Sequence, residues 1–230
     1  MSNNPFASLP KFGRGSFAIF LVAAVLSAML GDQPVAHQLV LLPGDVLSGR
    51  ELWTPITANF MFPNNELIGL LGTGFAQWFI GSQLEAFWGT KKYVTLVLSA
   101  GVAGYVAAVL VGALSTTAAG IEVGGSVPMD LAAITAFGFV FANRQLRLLA
   151  SLPLSVKGFA LLLVGLSLVI PLLRGSPWPT IVPLLVAVAV AAAAVTQPWR
   201  RLRDSGKLRG PVKAKKRHLK VVGPDSKLLN

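Results

Sequence analysis

The chain has 230 residues, of which 53% are apolar and only 13% charged, and its mean hydropathy is +0.66. That balance excludes a water-soluble globular domain and points to a chain that lives in a bilayer, where a spanning helix needs about 20 apolar residues. The net charge of +11 is gathered largely near one end, and the absence of cysteine excludes disulfides, thiolate metal sites and cysteine nucleophiles. The two histidines, His37 and His218, stand far apart, and neither shares metal-ligand spacing with a carboxylate, so no metal and no other cofactor is expected.

Cutting the chain at its charged residues leaves uncharged windows at 15–31, 67–84, 93–121, 131–143, 158–173 and 175–199. These windows predict six helices in an all-α polytopic membrane domain over 15–199. A cytoplasmic segment, 1–14, precedes it and a flexible basic tail, 200–230, follows. Lys11 and Arg14 lie before the first helix, Lys91 and Lys92 between the second and third, and Arg144, Arg147 and Lys157 between the fourth and fifth. Eleven more Lys and Arg fall between 200 and 227. Asp32, Asp45, Glu51, Glu66 and Glu122 gather on the other side, with only Arg50 and Arg174 beside them. The positive-inside bias then places both termini in the cytoplasm and turns the long first loop outward. A signal peptide is the competing reading of residues 1–30, but no small-x-small site follows at Ala28.

The first loop, 32–66, is too long for a simple connector. Its apolar run at 39–42 and Leu52-Trp53 suit a segment lying in the membrane interface, with an ordinary exterior loop as the plain alternative. In the second helix Gly69, Thr73 and Gly81 recur at spacings of four and eight, the pattern that lets two helix backbones approach closely. The segment 123–130, Val-Gly-Gly-Ser-Val-Pro-Met-Asp, supports two readings. One is a serine nucleophile on a Gly-rich turn, which needs a base within hydrogen-bond reach. The stronger is an ordinary helix start, with Ser126 as cap, Pro128 in the first turn and Asp130 at the positive end of the helix dipole. Asp130 is also a candidate intramembrane carboxylate, costly unless it meets water or a partner. The last helix carries Ala187, Ala191 and Ala194 for close packing, Pro179 and Pro183 in its first turns, and no polar side chain over 184–195.

Taken in order, several pieces between 51 and 172 resemble the rhomboid family of intramembrane serine proteases. Leu-Trp-Thr-Pro-Ile-Thr-Ala-Asn-Phe at 52–60 is similar to that family's first-loop Trp-Arg segment, with Thr54 in place of the Arg. Gly81-Ser82-Gln83-Leu84-Glu85, followed by Gly89, is similar to its Gly-x-x-x-Glu and Gly turn. Asn143-Arg144-Gln145 and Leu152-Pro153-Leu154 resemble its junction between the fourth and fifth helices. The resemblance implies a six-helix rhomboid-like bundle in which Trp53, Glu85 and Gly89 are structural. Active members use Gly-x-Ser-Gly on the fourth helix, a His on the sixth, and a His and an Asn on the second. Here Gly124 and Ser126 match in part, Val127 takes the final Gly position, Gly69 and Thr73 take the second-helix positions, and the sixth helix has no His.

Loss of a triad member alone costs several powers of ten in rate, and loss of an oxyanion donor about 10²–10³ more. No catalytic residue is therefore expected, and the resemblance implies a non-proteolytic member that binds transmembrane segments of other proteins. Gly69, Thr73, Gly81, Ser126 and Asp130 are the expected binding residues, beside the open side of the bundle. An active serine protease using Ser126 with an atypical base is the first alternative, and a membrane insertion factor with a ribosome-contacting tail the second. The tail run Lys213-Ala-Lys-Lys-Arg217 favours anionic lipid, and with no aromatic residue interleaved for base stacking, nucleic acid is not expected. The resemblance and the compact chain together imply a bacterial inner membrane.

Overall fold

The computed structural model describes residues 11–62, 67–149 and 152–196. The basic tail, with its expected lipid contact, and Glu66 lie outside the described residues. The chain is mostly helical. Helix α1 runs Arg14–Leu30, and α2 is a continuous rod made of Leu67–Phe75, a π-helical stretch Ala76–Gly81 and Ser82–Trp88. Helix α3 is Thr90–Gly112, α4 is Val127–Val140, α5 is Val156–Leu173 and α6 is Trp178–Thr196. Three of these, α3, α5 and α6, are long and apolar enough to cross a membrane, while α1 and α4 are shorter apolar helices.

One element departs from the all-α expectation. Between α4 and α5, β1 (Gln145–Leu149) and β2 (Leu152–Ser155) form an antiparallel hairpin with Gln145 opposite Ser155. The reason is legible afterwards: Gln-Leu-Arg-Leu alternates polar and apolar residues with the period of a strand. The Ser155 hydroxyl then accepts from the Gly158 N–H at 3.0 Å and caps α5.

The α2–α3 turn depends on Gly89. Its φ of +82° is a left-handed conformation that glycine adopts without the penalty a Cβ brings, and it ends one helix and starts the next within a single residue. The main core surrounds α4 and draws on all six helices, and a small alanine cluster lies where α3, α4 and α6 meet. Ala100, Ala132, Ala187 and Ala191 are all fully buried there, so the alanines of α6 do bring backbones close. A Cβ on Gly104 would lie 2.6 Å from the Pro183 carbonyl oxygen, which shows how near α3 and α6 run. Pro183 lies in the second turn of α6, within the first turns where the sequence suggested it.

The first loop is built of short helical turns, including Pro34–Gln38, Pro43–Leu47 and Thr54–Thr57. Part of its apolar run enters the bundle: Val40 and Leu41 are buried, and Leu41 exchanges two 2.9 Å backbone hydrogen bonds with Val123 just before α4. Leu52, Trp53 and Ile56 remain exposed, as side chains at a bilayer surface would be. Helix α5 is the least buried of the three bilayer-length helices. Only 11% of its apolar window is buried, against 39% for α3 and 33% for α6, so most of its surface is left for lipid or a partner.

Candidate functional site

Asp130 is the centre of the buried polar structure. It stands in the first turns of α4, buried, and α2 supplies its partners. The Thr73 hydroxyl donates to Oδ2 at 2.6 Å and the Gln77 amide donates to Oδ1 at 2.9 Å. Thr73 and Gln77 are four residues apart and so share one helix face. The π-helical stretch opens at Ala76, immediately before Gln77, the kind of local rewinding that is common where a helix must aim a particular side chain. Magnitudes explain the pairing. A carboxylate within a membrane costs about 2.5–3.5 kcal/mol on insertion scales, and hydrogen bonds to charged groups return about 1.5–3 kcal/mol each, so two good bonds offset the cost.

The polar thread continues away from Asp130. The Tyr93 hydroxyl donates to Gln77 Oε1 at 2.6 Å. The same hydroxyl abuts Gly81, where an added Cβ would also lie 3.0 Å from Ser16 Oγ. Ser16 in turn donates to Glu85 Oε2 through its N–H at 2.9 Å and its hydroxyl at 3.0 Å. Glu85 Oε1 accepts from the Gly15 N–H at 2.8 Å and the Thr90 hydroxyl at 2.6 Å. Glu85 thus satisfies the orphan amides at the start of α1, a duty that the local cap residue, Gly13, has no side chain to perform. Burial pushes the Glu85 carboxyl up, and the bonds from Gly15, Thr90 and Ser16 outweigh it, so its pKa is held below the ordinary 4.5.

Ser126 sits apart from this thread. Its residue is at the N-cap position of α4, as the sequence suggested, but its hydroxyl makes no cap bond. The hydroxyl donates instead to the Asn59 carbonyl oxygen at 2.8 Å, and the residue is fully buried. The neighbouring turn is pinned the same way. The Gly125 N–H donates to the Ala58 carbonyl at 2.9 Å, the Tyr105 hydroxyl donates to the Gly125 carbonyl at 2.6 Å, and Gly125 has a φ of +105°. Ser126 and Gly125 therefore fasten the first loop to the head of α4. The Asp130 N–H donates to the Ser126 carbonyl at 2.9 Å as an ordinary helical bond, but among the described hydrogen bonds none joins the two side chains.

The remaining residues singled out in the sequence fall into place around these two clusters. Thr73 and Gly81 are buried against neighbouring elements, and Gly69 is half-buried one turn before Thr73. The exposed edge of α2 is made instead by Ile68, Leu71 and Phe75. Trp53 is half exposed and donates its ring N–H to the Gln38 carbonyl at 2.9 Å, tying the first loop to itself. Thr54, at the position of the family's Arg, is fully buried and donates to the Glu51 carbonyl at 2.9 Å. His37 meets Glu122 at 2.9 Å on the loop surface. Gln77, Asn59 and Tyr93 were not legible as site residues. Gln77 did carry a signal, as an amide inside an apolar run one turn from Thr73.

Gly124 opens onto a cleft of about 570 Å³ that runs beside α5. Tyr105, Glu122 and Pro128 form one wall, and Ser167 of α5 and Pro183 of α6 the other. Ser126 is absent from its lining.

Bilayer-length apolar helices, with a carboxylate kept inside the bundle by hydrogen bonds, define an integral membrane protein. The chain belongs to the eukaryotic integral membrane protein family DUF1751, whose pattern matches residues 14–193, from the start of α1 almost to the end of α6. No curated protein matches the chain. The family is one of eukaryotic membrane proteins, and this overturns the expectation of a bacterial inner membrane. That expectation rested on the rhomboid resemblance and the compact chain, which reflect how helices pack in a bilayer and carry no mark of which organism or organelle owns it.

Proposed function

We propose that this protein is a six-helix, rhomboid-like membrane protein without protease activity, which binds transmembrane segments of other proteins. The observation that carries the reading is the use made of Ser126: its hydroxyl is buried and bonded to a main-chain carbonyl rather than to a base. The nearest carboxylate along α4, Asp130, has each oxygen engaged by α2. A serine without a base is a weak nucleophile, and neither α2 nor α6 contains a histidine to serve as one.

The cleft beside α5 supports the binding half of the reading. It is mostly apolar along α5 and α6, it carries Glu122, Ser167 and Thr180 among its polar points, and α5 itself is little buried. A guest helix there would find van der Waals surface and a few hydrogen-bonding groups, the two forces that join helices in lipid.

The test uses purified protein in lipid with a panel of single-span proteins, beside Ser126→Ala. We expect no cleavage by either form, and a photo-crosslinker placed at Ser167 capturing a single-span partner that the same group at Val22 on α1 does not. Cleavage abolished by Ser126→Ala would restore the enzyme reading. Equal capture from both positions would remove the cleft as the binding surface.

A further inference from the structure

A second, smaller cavity of about 290 Å³ lies at the opposite end of the bundle, between α4, α5 and α6. Its walls come from the last turns of α4 (Gly138, Phe139), the first turns of α5 (Ala160, Leu161) and the late part of α6 (Ala192). Gly138 and Ala160 close tightly on each other, with 2.6 Å left for a Cβ on Gly138, and the slot opens beside that contact among Phe139, Leu161, Val164, Val188 and Ala192. Two lining groups are polar. Thr135 is buried and its hydroxyl has no hydrogen-bond partner, a state that costs about 1–3 kcal/mol for a buried polar group. Lys157 is exposed at the rim, and among the described residues no ion pair holds it.

Position decides what could use both groups. Lys157 is in the first turn of α5, and the backbone N–H of its neighbour Val156 bonds the carbonyl of Arg144 at 2.9 Å, which brings a second basic residue to this end. This is the end that charge sorting assigns to the cytoplasmic interface. Thr135 lies five residues before the end of α4, roughly 7.5 Å deeper along the helix axis. The slot thus presents a cation at its rim and, deeper, a hydroxyl with a free proton, both set among apolar walls. No acidic side chain lines it, in contrast to the larger cleft, which carries Glu122.

We infer that this slot between α4, α5 and α6 binds one anionic phospholipid, its net-negative headgroup at Lys157, an ester carbonyl accepting from the Thr135 hydroxyl and one acyl chain along the apolar walls. A phospholipid combines these three chemistries, and a net-anionic headgroup supplies the charge that the rim lacks. The inference does not depend on the client-binding proposal.

Native mass spectrometry of the full chain in mild detergent tests it, with phosphatidylserine and phosphatidylcholine of matched chains as probes. One lipid should be retained, phosphatidylserine about 5-fold more tightly, the ratio that about 1 kcal/mol per basic residue gives. Lys157→Gln, at an exposed position, should erase the preference, and Ala192→Phe should fill the slot and lose both lipids. Thr135→Val should weaken retention of both lipids while keeping the ratio. Replacing Lys213, Lys215, Lys216 and Arg217 with Gln should leave the single tight lipid in place. Equal retention of the two lipids by the unaltered chain, an unchanged preference in Lys157→Gln, or loss of the tight lipid only with the tail substitutions would each overturn the assignment.

Discussion

Glu85 is the residue whose role the sequence and the structure describe most differently in kind. A family-like Gly-x-x-x-Glu spacing marks it as structural, while the mechanism, capping α1 from the far end of α2, depends on contacts about 70 positions away. Its pKa is depressed on folding, so its contribution to stability is fully present above the ordinary value of 4.5 and is lost as pH falls through the lower, folded value. Glu85→Gln keeps the shape and removes that titration. Thermal unfolding in detergent from pH 7 down to pH 3 should therefore show a flatter acid loss in the variant, starting from a lower plateau at neutral pH. Parallel curves for the two proteins would mean that Glu85 has no linked role in folding. Ser126 teaches the complementary lesson. Its identity and position favoured a helix start, which is correct for the backbone, yet its hydroxyl serves the first loop.

Helices are the level at which hydropathy works best and glycine patterns work least well. Apolar windows found each long helix, because a bilayer demands long uncharged runs wherever the chain crosses. The windows overran where the chain stays apolar after the helix stops, as in 113–121, which holds a turn and the short helix Thr116–Ala119. Glycines look alike in sequence and differ in surroundings. Gly104 faces the Pro183 backbone, with 2.6 Å left for a Cβ, whereas Gly72 has nothing within 4 Å. Gly104→Ala should destabilise the α3–α6 contact by about 1–3 kcal/mol, the range for overpacking. Gly72→Ala should be neutral or stabilising by up to about 1 kcal/mol through helix propensity. Melting temperatures of the two variants against the parent decide it, and a Gly72 variant less stable than the Gly104 variant would refute the packing described for α3 and α6.

For the molecule as a whole, orientation follows from charge. The chain has no cysteine, so single cysteines introduced at Lys92 and at Glu122 can be labelled without background. In sealed vesicles of known orientation an impermeant thiol reagent should reach the two positions from opposite sides, Lys92 from the cytoplasmic one. Labelling of Lys92 from the outer side and of Glu122 from the cytoplasmic one would reverse the topology and, with it, the side on which the lipid slot opens, and labelling of both from one side would refute the crossing between them. The larger cleft and the smaller slot lie toward opposite ends of α5, so a single sparsely buried helix borders both proposed binding surfaces.

Composition and the spacing of charges determined by themselves that this is a membrane protein, where its helices run and which ends are basic. These are properties of transfer between water and lipid, which each segment expresses without reference to its neighbours. The tertiary structure alone decided what the polar residues do. Asp130 could have faced water, a partner or nothing, and its pairing with Thr73 and Gln77 came from the crossing of α4 with α2 and the π-helical stretch that begins at Ala76. The same holds for Ser126 with Asn59, 67 positions away, and for the unbonded hydroxyl of Thr135 above Lys157. Hydrogen bonds are short-range and directional, so residues distant in sequence become partners only when helix packing sets their backbones in place.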